Sequence, residues 1–213
     1  DPSMGDVEDG VLTLKADELG ASVSPAALET VVEYMYTGKV TVTTETSWEV
    51  FSSVSYLELD GATEECVDFL CANAAPENAL GMMDAARKHD SAKLEAAASK
   101  YVREHFEAVA ASEAWLERTE AQVHALLGLD DLVVKSESSV VSALARWADH
   151  EAEARAEGFA RIFKDADAVR VPRLSVSELE ALFDSPRMLS DVELANVLFK
   201  EVVRRQRSAA DHR

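Results

Sequence analysis

Glycine is scarce and scattered in this chain: eight residues among 213. None falls into the G-x-G-x-x-G or G-x-x-x-x-G-K spacing whose backbone amides cradle a phosphate, so nucleotide binding loses its usual support. Cysteine is scarcer still. Cys66 and Cys71 are the two present, and five positions along one expected helix separate them by about 140° around its axis, which forbids a bond between them. Neither is flanked by a residue that would lower a thiol pKa, and no G-x-S-x-G elbow occurs. The five histidines, His89, His105, His124, His150 and His212, lie on separate expected elements, outside any H-E-x-x-H or C-x-x-C arrangement. Paired acids such as Glu64-Glu65 and Asp130-Asp131 carry no catalytic weight in a chain with 40 acids, where adjacency arises by chance. A helical hydrolase built from dispersed acids is the one enzyme class left to weigh, and no spacing supports it. The expectation is a non-catalytic chain with no cofactor and no metal.

Cations are few, 21 against 40 acidic side chains, for a net charge of -19. Such a chain repels nucleic-acid phosphates and the anionic face of a membrane, so neither is expected as a partner. The last stretch, with Lys200, Arg204, Arg205, Arg207 and Arg213, is locally basic but includes Glu201 and Asp211. It reads as a solvated helix end. No apolar run approaches the ~20 residues that cross a bilayer, and no charged-then-apolar leader opens the chain. A cytoplasmic or nuclear protein with reduced thiols is expected. A first residue of Asp, with structure starting almost at once, suggests a segment of something longer.

What is abundant is helical periodicity. Val11 to Leu14 form a short strand-like run, and Lys15 to Val23 read as a loop. Ser24 and Pro25 open a helix that places Leu28, Val31, Val32 and Met35 on one face and stops at Gly38, with Val40 to Val42 leaving extended. Residues 45–58 repeat the period with Val50, Phe51, Val54 and Leu57, beside Trp48. A third helix over about 62–73 buries Cys66, Val67, Phe69 and Leu70, and Pro76 then marks a boundary. Beyond it nearly everything reads as helix: 77–89, 92–109, two shorter pieces after Ser112 and Thr119, and 136–157. The last of these buries Val140, Val141, Leu144 and Trp147 and exposes Asp149, Glu151, Glu153 and Arg155. Thr119 with Gln122, Ser175 with Glu178, and Ser190 with Glu193 match the capping-box spacing. Trp48, Trp115 and Trp147 fall on apolar faces and read as core.

The run Val23-Ser24-Pro25-Ala26-Ala27-Leu28, ending in Glu33-Tyr34-Met35-Tyr36-Thr37-Gly38-Lys39-Val40, resembles the later half of a BTB (POZ) domain. Val54-Ser55-Tyr56-Leu57-Glu58-Leu59-Asp60 and Cys66-Val67-Asp68-Phe69-Leu70 resemble the helices that follow it. The likeness continues into the BACK domain of Kelch-like proteins through Pro76-Glu77-Asn78-Ala79-Leu80-Gly81, Tyr101-Val102-Arg103-Glu104-His105-Phe106, Leu129-Asp130-Asp131-Leu132, Ala143-Leu144-Ala145-Arg146-Trp147 and Val169-Arg170-Val171-Pro172-Arg173-Leu174-Ser175. The resemblance extends over roughly residues 4–190 in the family's order. The resemblance implies a mainly α chain: the C-terminal half of a BTB/POZ α/β fold over 1–75, an all-α BACK array of antiparallel helix pairs over 76–190, and a C-terminal helix with a basic tail over 191–213.

The resemblance also implies a substrate-recruiting adaptor of a cullin-3 type ubiquitin ligase, dimeric through a BTB half that this chain lacks, with an unknown target captured by a separate domain. The family's cullin contact uses a hydrophobic-x-Glu element before the fourth strand; Met4-Gly5-Asp6 stands there, with Asp in place of Glu. On the following helix Tyr56 and Leu57 are the expected contact positions, and the bland alternative packs Leu57 inside. The competing reading is a BTB-BACK scaffold, transcriptional or cytoskeletal, that binds no cullin. With the early BTB strands missing, Val11 to Leu14 are expected to lack a strand partner. The link from Ala16 to Ala21 is longer than the family pattern explains, and nothing propeller-like follows Ser190.

Overall fold

The computed structural model describes residues 6–8, 11–13, 24–185, 188 and 191–211. Met4, the link from Ala16 to Ala21, and Ser190 lie outside them. The chain divides into two compact units, Asp1–Ser99 and Lys100–Arg213.

In the first unit, β1 (Asp6–Glu8) pairs antiparallel with β2 (Val11–Thr13), Val7 opposite Leu12. This corrects the expectation that Val11 to Leu14 lack a strand partner. In sequence the strands are separated by Asp9 and Gly10, a dipeptide that favours a two-residue hairpin. Helix α1 (Pro25–Thr37) begins as expected: the Ser24 hydroxyl accepts from the Ala27 amide at 3.3 Å, and Pro25 occupies the first turn, where no amide is needed. It ends at Gly38, whose φ of 69° lies where a side chain would be strained. Residues 39–43 then leave α1 without joining a strand ladder, so the expected extended exit is not a strand.

Helices α2 (Ser47–Tyr56) and α3 (Asp60–Ala72) pack together, and α1 packs on α2. Val50, Phe51, Val54, Ala62, Cys66, Val67 and Leu70 are buried. Each large side chain among them contributes roughly 1.5–3 kcal/mol by leaving water. Trp48 and Phe69, expected in the core, are half-buried. Burial pushes the Cys66 thiol up to about 12, with Glu65 adding to the shift; Cys71, half-buried, is raised for the same first reason. Both thiols stay protonated and unreactive near neutral pH. Helix α4 (Ala79–Lys88) buries Leu80, Met82, Met83 and Ala86, and α5 (Ala92–Glu104) runs across the boundary between the units.

The second unit is helical among the described residues. It comprises α6 (Phe106–Ala111), α7 (Glu113–Leu116), α8 (Glu120–Leu127), α9 (Glu137–His150), α10 (Ala152–Lys164), a 3-10 turn (Val171–Arg173), α11 (Val176–Phe183) and α12 (Val192–Asp211). The capping boxes at Thr119–Gln122 and Ser175–Glu178 form in full. At the third expected box the Asp191 carboxylate takes the Glu193 and Leu194 amides, at 2.8 and 3.2 Å.

Two expected helices are broken. His105 (φ -120°, ψ 29°) separates α5 from α6, and Glu151 (φ -135°, ψ 64°) separates α9 from α10. The second break has a clear physical basis. It turns Phe159, Ile162 and Phe163 into the core beside Val140, Leu144 and Trp147, an inward direction that one continuous helix would lose. It also overturns the solvated reading of Arg155. That guanidinium lies 4.8 Å over the Trp147 ring and donates to the Leu116 and Trp147 carbonyls at 2.7 and 3.0 Å, its side chain only 14% exposed.

Close approach at the hub requires Gly158. A Cβ there would sit 2.9 Å from a Glu120 carboxylate oxygen, which Arg161 holds at 2.8 Å, and 3.2 Å from the Trp147 ring. Glu107 ties α6 to the start of α9, accepting from the Lys135 amide (3.0 Å), the Ser139 hydroxyl (2.7 Å) and the Lys135 ammonium (2.9 Å). The Ser139 and Lys135 hydrogen bonds hold its carboxyl at about 2, against an ordinary 4.5.

Two outcomes follow from these contacts. Gly158→Leu overpacks the α8–α10 approach and is expected to lower stability by about 1–3 kcal/mol in urea unfolding. For Glu107 the depressed pKa means that the unfolded chain binds more protons below pH 4.5, so the stabilisation is complete above that pH and is lost as pH falls toward 2. Glu107→Gln is therefore expected to melt below wild type at neutral pH, with the gap closing as pH falls from about 4.5 toward 2 in a calorimetric series.

Candidate partner-binding surface

The four residues expected to meet a partner are Met4, Asp6, Tyr56 and Leu57. Met4 lies outside the described residues, and Asp6 opens β1 opposite Thr13. Tyr56 and Leu57 stand together where α2 ends. Tyr56 is the last helical residue and is 43% exposed, while Leu57, at the C-cap, is half-buried. Leu57 therefore neither packs fully inside nor stands free.

The backbone fixes this pair. The Leu59 amide reaches back to the Val54 carbonyl at 2.9 Å and the Glu58 amide to that of Ser55 at 3.2 Å, which together close the helix with Glu58 in the left-handed region at φ 53°. An L side chain is strained there. At the other end of α2, the Glu49 carboxylate accepts from the Ser24 amide at 3.0 Å and from the Ser24 hydroxyl, tying the first turn of α2 to the start of α1. The hydroxyl and then the amide of Ser24 hold the Glu49 carboxyl below its ordinary range.

Helix α1 carries an exposed apolar surface that sequence reasoning missed. Leu28, Val32 and Met35, expected in the core, are 39%, 44% and 55% exposed, and Tyr36 is 88% exposed. The buried side of α1 is instead Ala27 and Val31, with the Tyr34 hydroxyl close to Gly61. A signal for this was present. Residues 27, 31 and 34 form one i, i+4, i+7 stripe and residues 28, 32 and 35 a second, about 100° around the axis, and so wide an apolar arc needs two neighbours. Among the described residues of this unit, α2 packs on the first stripe and no helix covers the second.

The histidines are dispersed. His89 packs edge-on against Phe51 at 5.1 Å, with burial pushing its pKa down; His105 lies against the Tyr101 ring at 4.4 Å with the planes tilted by 40°; His124 pairs with Asp165 at 2.6 Å. Among the described residues no three His, Cys, Asp or Glu side chains converge on a possible metal position, and no helix is long and apolar enough to cross a membrane.

Two family models match in succession: the BTB/POZ domain over residues 15–74, and BACK, described as BTB And C-terminal Kelch, over residues 79–184. The fold and the two matches together make this a BTB-BACK protein. It belongs to the Kelch-like type. Kelch-like protein 28 of Homo sapiens is 29% identical over 182 residues, which is 85% of this chain and 31% of that protein. Kelch-like protein 17 of Homo sapiens is 33% identical over 153 residues, 72% of this chain and 23% of that protein. Kelch-like protein 3 of Bos taurus is 30% identical over 172 residues, 79% and 29%. The chain thus spans less than a third of the length of these curated relatives.

The turn that presents Tyr56 and Leu57 can be probed directly. Glu58→Gly removes the left-handed strain and is expected to raise stability by about 0.5–1 kcal/mol in chemical denaturation, where glycine at an ordinary surface position would lower it.

Proposed function

We propose that this chain is a non-catalytic adaptor that recruits a cullin-3 type scaffold and so brings an associated target protein beside a ubiquitin donor. The observation that carries the reading is the presented pair at the end of α2: Tyr56 exposed, Leu57 half-buried, and both fixed by a closed helix end. An exposed aromatic beside a partly buried aliphatic is the composition of an interface anchor, since it removes apolar area from water on docking at low cost in side-chain freedom. The BTB-BACK family relationship supports the same role. Catalysis in such an arrangement comes from proximity: tethering raises the effective concentration of the target without bond chemistry by the adaptor.

In this reading Asp6 supplies the acidic member of the contact, and the full protein dimerises through BTB elements beyond those described. Its place of action is cytoplasmic or nuclear, where both thiols stay reduced. Replacing Glu by Asp in the hydrophobic-x-Glu element shortens the reach of the carboxylate, which favours one rival, a BTB-BACK scaffold that assembles without a cullin.

Calorimetric titration with a cullin-3 N-terminal domain separates the two. Binding in the micromolar range or tighter, weakened about tenfold or more by Tyr56→Ala, is expected. An absence of heat at these concentrations from the full-length protein transfers the assignment to the scaffold.

A further inference from the structure

The final helix, α12, has two unlike faces. Its inner side carries Leu194 and Leu198, 2% and 0% exposed, together with buried Glu201, and it packs on α10, α11 and the 3-10 turn. Glu201 receives Arg204 and Arg205, both at 2.7 Å, and Arg205 continues inward to the Pro172 and Leu174 carbonyls at 3.0 and 2.6 Å. Those bonds hold the helix in place and orient it.

The outer side is apolar and cationic. Val192 and Phe199 are 74% and 59% exposed. Residues 192, 199 and 203 follow one another at spacings of seven and four, which lines them along one edge of the helix over roughly 16 Å. Lys200, Arg204 and Arg207 fall on one flank of that row, and with Phe199 and Val203 they form one open patch on the helix. Arg204 keeps 61% of its side chain exposed despite its bond to Glu201. Lys200 and Arg207 form no ion pair among the described residues. In a chain of net charge -19, three cations here stand around an exposed phenylalanine.

We propose that the outer face of α12 docks an acidic amphipathic helix of a partner protein. The straight apolar row suits helix-on-helix packing, in which an exposed phenylalanine enters the space between side chains of the facing helix. The one-sided cations select a partner carrying Glu or Asp along the matching flank. Nucleic acid and anionic membrane present the same sign of charge over a far larger area, and the chain's overall negative charge opposes both; a short helix meets chiefly the local cations, within a screening length of about 8–10 Å. This assignment is independent of the cullin reading, because it involves no residue of α1, α2 or β1.

The test uses the whole chain and a fluorescent synthetic peptide with leucine at the a and d positions and glutamate on the flanks of each heptad. Anisotropy is compared with that of a lysine-flanked version, duplex DNA and phosphatidylserine vesicles, at low and high salt. The glutamate peptide is expected to bind in preference to all three, more weakly at high salt, and Phe199→Ser and Arg207→Glu are each expected to lower its affinity about tenfold while circular dichroism stays unchanged. The double variant Lys200→Glu with Arg207→Glu is expected to turn preference toward the lysine peptide. The proposal is overturned if the glutamate peptide does not bind, if the variants bind it as well as wild type, if DNA or vesicles are preferred, or if sedimentation shows Phe199 to be the seat of self-association.

Discussion

Every helix C-terminus leaves backbone carbonyls without an intrahelical donor, and a unit assembled from many short helices has many such ends. In the second unit, long-range donors on α9 and α10 answer them. The Trp147 indole N–H donates to the Arg118 carbonyl at 2.7 Å, just past α7; in the opposite direction the Trp115 N–H, on α7, donates to the Ala143 carbonyl within α9 at 3.0 Å. Arg146 bonds the Ala110 and Ser112 carbonyls, both at 2.8 Å, and Arg155 bonds that of Leu116. The two rings are also the largest fully buried side chains of the unit. A large ring is buried here without orphaning its polar atom, and a helix end is buried without orphaning its carbonyls. Remove these donors and α6 and α7, of six and four residues, have little of their own to keep them helical.

The acidic side chains take a complementary part. Unsatisfied amides at helix starts, together with the positive end of the helix dipole, favour carboxylates. Glu178 closes the box of α11 and is held at about 2, chiefly by the Ser175 amide; Glu137, 4% exposed, accepts from the Arg170 amide at 2.7 Å. Part of the large acid count is thus structural. The remainder is solvated and gives the chain its sign, which makes the cationic edge of α12 conspicuous.

The first unit shows the opposite economy. Among the described residues its core closes on one side of α1 and leaves a second apolar stripe open, a costly arrangement in water. The adaptor reading accommodates such a unit, since a protein whose work is to hold others keeps apolar area available. The presented pair at Tyr56 and Leu57 has the same character on a smaller scale, and the strain accepted at Glu58 is the local cost of presenting it.

By itself the sequence determined what depends on near neighbours along the chain. The start of α1 at Ser24 and Pro25, its stop at Gly38, the boxes at Thr119 and Ser175, the buried stripes of α2 and α9, and the succession of motifs that marks a BTB-BACK protein all rest on spacings of a few residues, where rise and turn per residue are invariant. Tertiary structure alone decided which of two apolar stripes on α1 faces inward, because both satisfy the same period and only a packed neighbour distinguishes them. It also decided the breaks at His105 and Glu151, where continuous helical patterns give way, and it drew Arg155 out of water onto Trp147. Of the residues proposed to meet a partner, type and position could be read from motifs. The exposure of Tyr56, the half-burial of Leu57 and the two-faced character of α12 could not, since exposure is set by what lies across from a residue and not by what lies next to it.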